Sequence, residues 1–208
     1  MKAKVLLSAV VTLGLLAGCS SNKPQSTSNN SETTAPAAKA AEKITGRVAF
    51  QKMYIQARGW ASDALPFAEE SQPTSDASGK DGVATVWRAR FGSRIRATAK
   101  TFVWSGTDAS DAPSRGITPS SEDTFSESNT STRTFDLAFL KSDSNAAFSV
   151  AQEHGGKKLL DKTPTLTINY VLAWDPRENT LIWHVTYGGR RLAVAVNAST
   201  GKYIRVEQ

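Results

Sequence analysis

The sequence predicts an α+β protein of two related units, each a helix packed on an antiparallel β-sheet. The first observation behind this is an internal repeat: VWRARFGSR at Val86 to Arg94 returns as IWHVTYGGR at Ile182 to Arg190, an offset of 96. At the same offset Gln56-Ala57-Arg58-Gly59 falls on Gln152-Glu153-His154-Gly155, and two matches in one register mark a repeated architecture. The second is that a segment of helical periodicity precedes alternating apolar and polar stretches in each copy. The third is a change of composition, from a leader and polar tether to about 165 residues able to form a core.

At the N-terminus, Lys2 and Lys4 precede an apolar run from Val5 to Leu16, too short to span a bilayer comfortably, so residues 1–18 read as a secretory signal peptide. Leu16-Ala17-Gly18-Cys19 resembles the lipobox of bacterial lipoproteins. The resemblance implies cleavage before Cys19, diacylglycerol on its sulfur and acylation of the new amino terminus. Each buried methylene contributes roughly 0.8 kcal/mol, so such an anchor needs no membrane-spanning helix. Ser20 in place of Asp implies, by the sorting rule for such lipoproteins, the periplasmic face of the outer membrane where the organism has two membranes. Cys19 is the only cysteine, so the lipidated chain has neither a disulfide nor a thiolate nucleophile.

Residues 19–41 are Ser-, Thr-, Asn-, Pro- and Ala-rich without apolar periodicity and read as a flexible tether. Removing Lys2 and Lys4 leaves 23 of 25 basic residues against 19 acidic ones, a charge of +4. This excess is mild and dispersed, and export argues against a nucleic-acid partner.

The first unit spans residues 42–104. Ile44 to Ala61 reads as a helix with Val48, Tyr54 and Ile55 inward, and Leu65 to Gln72 as a weak strand. Val83 to Arg90 and Ile95 to Trp104 read as a hairpin, and a three-residue loop would pair Trp87 with Ala99, Ala89 with Ala97 and Phe91 with Ile95. Residues 105–133 read as a polar connector, longer than ordinary loops and so either disordered or partly laid across the sheets.

The second unit spans residues 134–208. Ser142-Asp143 offers N-caps, Ala146, Ala147, Val150 and Ala151 recur at helical spacing, and Gly155-Gly156 provides a stop. Thr165 to Trp174 alternates as a half-buried strand, Asp175 to Asn179 is turn chemistry, and Thr180 to Tyr187 is the next strand. A two-residue turn at Gly188-Gly189 would set Val185 opposite Leu192 and Trp183 opposite Val194. Tyr203 to Val206 closes the sheet.

The short helix with its Gly stop, Trp183-x-Val185 and the terminal Asn197-Ala198-Ser199-Thr200-Gly201-Lys202 together resemble a PepSY domain, over roughly Ser142 to Gln208. Asn197 stands where that family usually has Asp. The resemblance implies a non-enzymatic α+β module of exported bacterial proteins and protease propeptides, with an inhibitory or chaperoning role, and it brings no catalytic residues. By repeat, Ile44 to Trp104 is a diverged second copy.

The chain carries no familiar motif of catalytic chemistry. There is no HExxH, no phosphate-cradling Gly-rich loop and no G-x-S-x-G elbow, so neither catalytic residues, metal nor cofactor is expected. His154 suits a helix C-terminus, His184 a surface strand position, and Glu122, Asp123, Asp161 and Asp175 solvated loops. Trp174 and Trp183 fall on apolar strand faces. Trp104, just before Ser105-Gly106, is the exposed candidate for an interaction surface. The expected function is a membrane-anchored, non-catalytic binding or regulatory module for another envelope protein, protease regulation included. The alternative is an envelope enzyme or carrier for a wall, glycan or lipid ligand, with its site on the 105–133 connector.

Overall fold

The computed structural model describes residues 39–207; the leader, Cys19 and most of the tether lie outside them. Helix α1 (Gly46–Trp60) is followed by strands β1 (Leu65–Gln72), β2 (Val86–Ser93), β3 (Thr98–Ser105) and β4 (Gly116–Thr124). The second half repeats the order with α2 (Ser144–Ala151), a π turn over Gln152–Gly156 and α3 (Lys157–Lys162). Then come β5 (Ile168–Asp175), β6 (Thr180–Tyr187), β7 (Leu192–Asn197) and β8 (Tyr203–Glu207). All eight strands form one antiparallel sheet in the order β8-β7-β6-β5-β1-β2-β3-β4. The α+β expectation therefore stands, but the halves share one sheet, joined where Ala68–Glu70 of β1 pairs with Val171–Ala173 of β5.

The helices lie on one face of this sheet. Helix α1 turns Ala49, Phe50, Met53 and Ala57 inward, while α2 turns Ala147 and Ala151 inward. Val48 and Ile55, expected inside, are 42% and 69% exposed, because the stripe through 49, 50, 53 and 57 is the one that meets the sheet. The core below it centres on Trp87 and Trp183, both fully buried, with ring centroids 6.3 Å apart in an edge-to-face arrangement. Their indole N–H groups are satisfied alike: Trp87 donates to the Ile44 carbonyl and Trp183 to the Ser142 carbonyl, each at 3.0 Å.

Those two carbonyls belong to the segments that start the helices, and the two starts share their caps. Asp143 Oδ1 accepts the Ser144 N–H at 2.6 Å and the Arg47 N–H at 2.9 Å, while Ser144 Oγ accepts the Gly46 N–H at 2.8 Å. One carboxylate thus serves two helix N-termini, where negative charge is favoured. Gly46 permits the approach, since a Cβ there would stand 2.6 Å from the Trp183 ring and 3.2 Å from the Trp87 ring.

The registers depart from the expected ones. Trp87 pairs with Trp104, Ala89 with Phe102 and Phe91 with Lys100, around a four-residue turn of Arg94 to Ala97 closed by Ala97 at φ 52°. Val185 pairs with Val194 and Trp183 with Val196, again around four residues, Gly188 to Arg191. Gly188 and Gly189 do adopt positive φ, but Arg190 extends the left-handed run at φ 87°. Of the two readings of the 105–133 connector, the structure shows the ordered one in part: β4 lies within it and extends the sheet beyond β3. Among the described residues no helix is long and apolar enough to cross a membrane.

Candidate functional site

Side chains alternate across a strand, so the residues between the core positions form a second face of the sheet, which no helix covers. Its central rung crosses seven strands in register: Val103, Arg88, Glu70, Val171, His184, Ala195 and Arg205. A parallel rung carries Asn169, Thr186, Ala193 and Glu207. The middle is lined by small or short side chains, and the charges stand to either side.

Most of those charges are paired. Arg90 meets Glu70 at 3.1 Å. Arg205 holds Asp175 and Glu178 at 2.9 Å each and Glu207 at 3.1 Å. Burial works to raise the Asp175 carboxyl, but the Arg205 guanidinium and the N–H groups of Arg177 and Glu178 outweigh it and hold it below the usual carboxylate range. His184 Nδ1 lies 2.8 Å from Glu207 Oε2, with both side chains about a quarter exposed. Arg88 is different: its Nη2 donates to the neutral Gln72 Oε1 at 2.7 Å, and its buried Nε has no partner among the described residues.

Two hollows open on this face. One, of about 410 Å³, is lined by Val171, His184, Thr186, Arg190, Ala193 and Glu207. The other, of about 170 Å³, is lined by Glu70, Ser71, Gln72, Pro73, Arg88 and Asn169. A third hollow, of about 610 Å³, lies elsewhere, where Lys43, Asp76, Lys80 and Asp81 stand among hydroxyls such as Thr74, Thr165 and Thr167. Among the described residues no His, Cys, Asp and Glu side chains cluster as a metal site.

The covered face holds one group that sequence reasoning missed. Glu69 on β1 is fully buried between Ala89 and Leu172 on the flanking strands, and neither carboxyl oxygen has a partner among the described residues. Burial, with the Asp143 charge adding to it, pushes its carboxyl well above the usual range and favours the protonated form.

Of the residues singled out from sequence, Cys19 lies outside the described residues. Trp104 is only 4% exposed, because β4 pairs with β3 and places Ile117 beside it, so it is core and not a surface anchor. Trp183 is core as expected, while Trp174 is half-buried and packs edge-on against Phe139 at 5.2 Å. His154 stacks on Tyr203 at 3.7 Å. Glu122, expected in a solvated loop, sits in β4 and accepts hydrogen bonds from Trp60, Thr98 and Arg96; these hold its carboxyl at about 2.

No protein-family model matches the chain, and no curated protein does. The fold is similar to the crystal structure of a "putative lipoprotein" from Clostridium difficile 630, with a TM-score of 0.53 and 9% identity over 76% of this chain and 91% of that one. At this identity the likeness shows the fold alone.

Proposed function

We propose that the protein is a lipid-anchored envelope lipoprotein that acts without catalysis, docking another envelope protein on the uncovered face of its sheet. In this reading Cys19 carries the lipid, residues 20–41 give the folded part reach, and Ser20 directs it to the outer membrane of a two-membrane cell. The observation that carries the docking role is the face itself. One registered rung crosses seven strands on this face, with two hollows and an arginine lacking a carboxylate partner, while the helices bury the opposite side.

The finer architecture belongs to the same proposal. The two halves are diverged copies of a PepSY-like unit; the equivalent bonds of Trp87 and Trp183 and the shared helix caps support this. A photo-crosslinking residue placed at Val171 tests the docking role in intact cells. The expected result is one reproducible protein adduct from Val171 and none from Ile55 on the exposed side of α1; adducts from Ile55 alone would contradict it.

A second reading has one observation in its favour. The hollow of about 610 Å³ between Lys43, Asp76, Lys80 and the threonines offers donors and acceptors suited to a polyhydroxylated ligand such as a wall glycan. A saturable thermal shift with soluble wall fragments, lost on Asp76→Ala, would support that carrier role.

A further inference from the structure

The two ends of the sheet differ in charge, and the chain enters from the tether at one of them. There the Glu42 N–H donates to the Gly106 carbonyl at 2.9 Å, just beyond β3, and Arg115 Nη2 donates to the Lys39 and Ala40 carbonyls at 3.0 and 3.2 Å. Register places the Gly188–Arg191 turn at the same end. Ser105 pairs with Val86 and Val86 with Gln72, while β1 runs antiparallel to β5, whose Ile168 pairs with Tyr187. The hollow of about 610 Å³ bridges the two places, with Lys43 on its tether side and Thr165 and Thr167 on the other.

Around the turn the charge is one-sided. Residues 152–167 wrap the end of β6, where Gln152 Nε2 donates to the Tyr187 hydroxyl at 2.6 Å and the Gly188 N–H to the Thr167 carbonyl at 2.8 Å. Together with the turn they carry Lys157, Lys158, Lys162, Arg190 and Arg191 against Glu153 and Asp161, an excess of three positive charges. Asp161 meets Lys157 at 2.7 Å, while Lys158, Lys162, Arg190 and Arg191 are exposed and have no carboxylate partner among the described residues. On the tether side Glu42, Asp76 and Asp81 offset Lys43 and Lys80, so the excess is confined to α3 and the turn. At the opposite end Arg94 meets Glu127, Arg96 meets Glu122 and Arg205 meets Asp175 and Glu178, which leaves Arg177 and Lys202 as single charges.

We infer that α3 and the Gly188–Arg191 turn rest on the anionic phospholipid headgroups of the membrane that holds the Cys19 lipid. This rests on the lipid-anchor reading above. Residues 20–38 separate that lipid from the described part and span at most about 65 Å even fully extended, so the surface is always within reach. The unpaired cations stand at the end of the sheet from which the tether leaves, and each Lys or Arg brought near an anionic headgroup layer strengthens attachment. The strands then stand along the membrane normal, with the uncovered face turned sideways and open to a partner.

The test uses the mature chain with Cys19→Ser, which takes no lipid, sedimented with vesicles of phosphatidylcholine alone or with about 30% phosphatidylglycerol. Binding to the anionic vesicles is expected to be about a hundredfold tighter, and to vanish in about 0.5 M salt. Removing the patch, with Lys158→Gln, Lys162→Gln, Arg190→Gly and Arg191→Gln together, should abolish the preference. These side chains are exposed and unpaired, and Arg190 occupies φ 87°, a conformation that suits glycine, so the variant should melt near the parent temperature. A second variant loses the same charge elsewhere, through Lys52→Gln, Arg58→Gln, Arg177→Gln and Lys202→Gln, and should keep the preference. Equal binding to the two vesicles, or equal loss in the two variants, overturns the inference. Palmitate labelling of the parent in cells reads the anchor separately. Labelling without a vesicle preference removes this surface and leaves the anchor reading; a preference without labelling supports the basic surface and removes the anchor.

Discussion

The two faces of the eight-stranded sheet are built on opposite principles. Beneath the helices, polar side chains are few: the Trp87 and Trp183 indoles donate to carbonyls at the starts of the two halves, and Glu69 is left without a partner among the described residues. On the uncovered face, charge is plentiful and is answered by other side chains, as in Arg205 with its three carboxylates. The covered face carries stability, since burial of apolar area contributes about 25 cal/mol per Å². Exposed ion pairs contribute about 0–1 kcal/mol each, so the uncovered face can be altered at little cost to the fold.

The largest test of that contrast is Trp183→Ala. It removes a fully buried indole and one edge of the aromatic pair, and chemical denaturation is expected to show a loss of about 3–5 kcal/mol. Gly46→Ala comes next. Its methyl would press on two fully buried rings at a helix start, and a loss of about 1–3 kcal/mol is expected.

Glu69→Leu should act in the opposite direction. Replacing a fully buried, unpartnered carboxyl by an apolar side chain of similar size is expected to stabilise by about 1–3 kcal/mol. The sign of its pH dependence follows from the raised carboxyl. Below the ordinary carboxylate value both folded and unfolded states hold the proton, and the charge-linked cost is absent. As pH rises from about 4.5 the unfolded state releases its proton while the folded state keeps it, so the parent loses stability relative to Glu69→Leu until the folded group also ionises. A gap that narrows between pH 5 and 8 would contradict this. Smallest of all, His184→Ala removes one partly exposed pair and should shift the melting midpoint by less than about 1 kcal/mol.

Much of the covered face was legible in the sequence, and much of the uncovered one was not. The 46–60 helix, the alternation of Ile168 to Leu172 and the Asn197 turn follow from local rules; Asn197 Oδ1 accepts the N–H groups of Ser199 and Thr200 as an Asp would. Register was not legible. For β6 and β7 a four-residue turn shifts the pairing by two, which leaves the same side chains on the same face, so period-two alternation does not distinguish the alternatives.

Strand β4 was hidden because an edge strand needs no apolar alternation. GITPSSEDT carries Pro119 and two acids, devices that protect an edge but read as loop. Its presence is what buries Trp104. Glu69 was concealed by its neighbour Glu70: a pair of acids reads as solvated, and only the central place of β1 in the sheet sends one of them inward. The repeat match of Arg88 with His184 was visible, but their common rung depends on the β1–β5 seam, a contact between halves that no local pattern encodes.

Cysteine accessibility gives the most direct test, because Cys19 is the chain's only cysteine and the proposed lipidation consumes it. Thr186→Cys on the uncovered face and Ile55→Cys on the outer side of α1 are alkylated side by side, in intact cells and in purified protein. The account predicts that Thr186→Cys reacts when purified and is protected in cells, while Ile55→Cys reacts equally in both. Equal reactivity of Thr186→Cys in both settings, with protection appearing at Ile55→Cys, would contradict it.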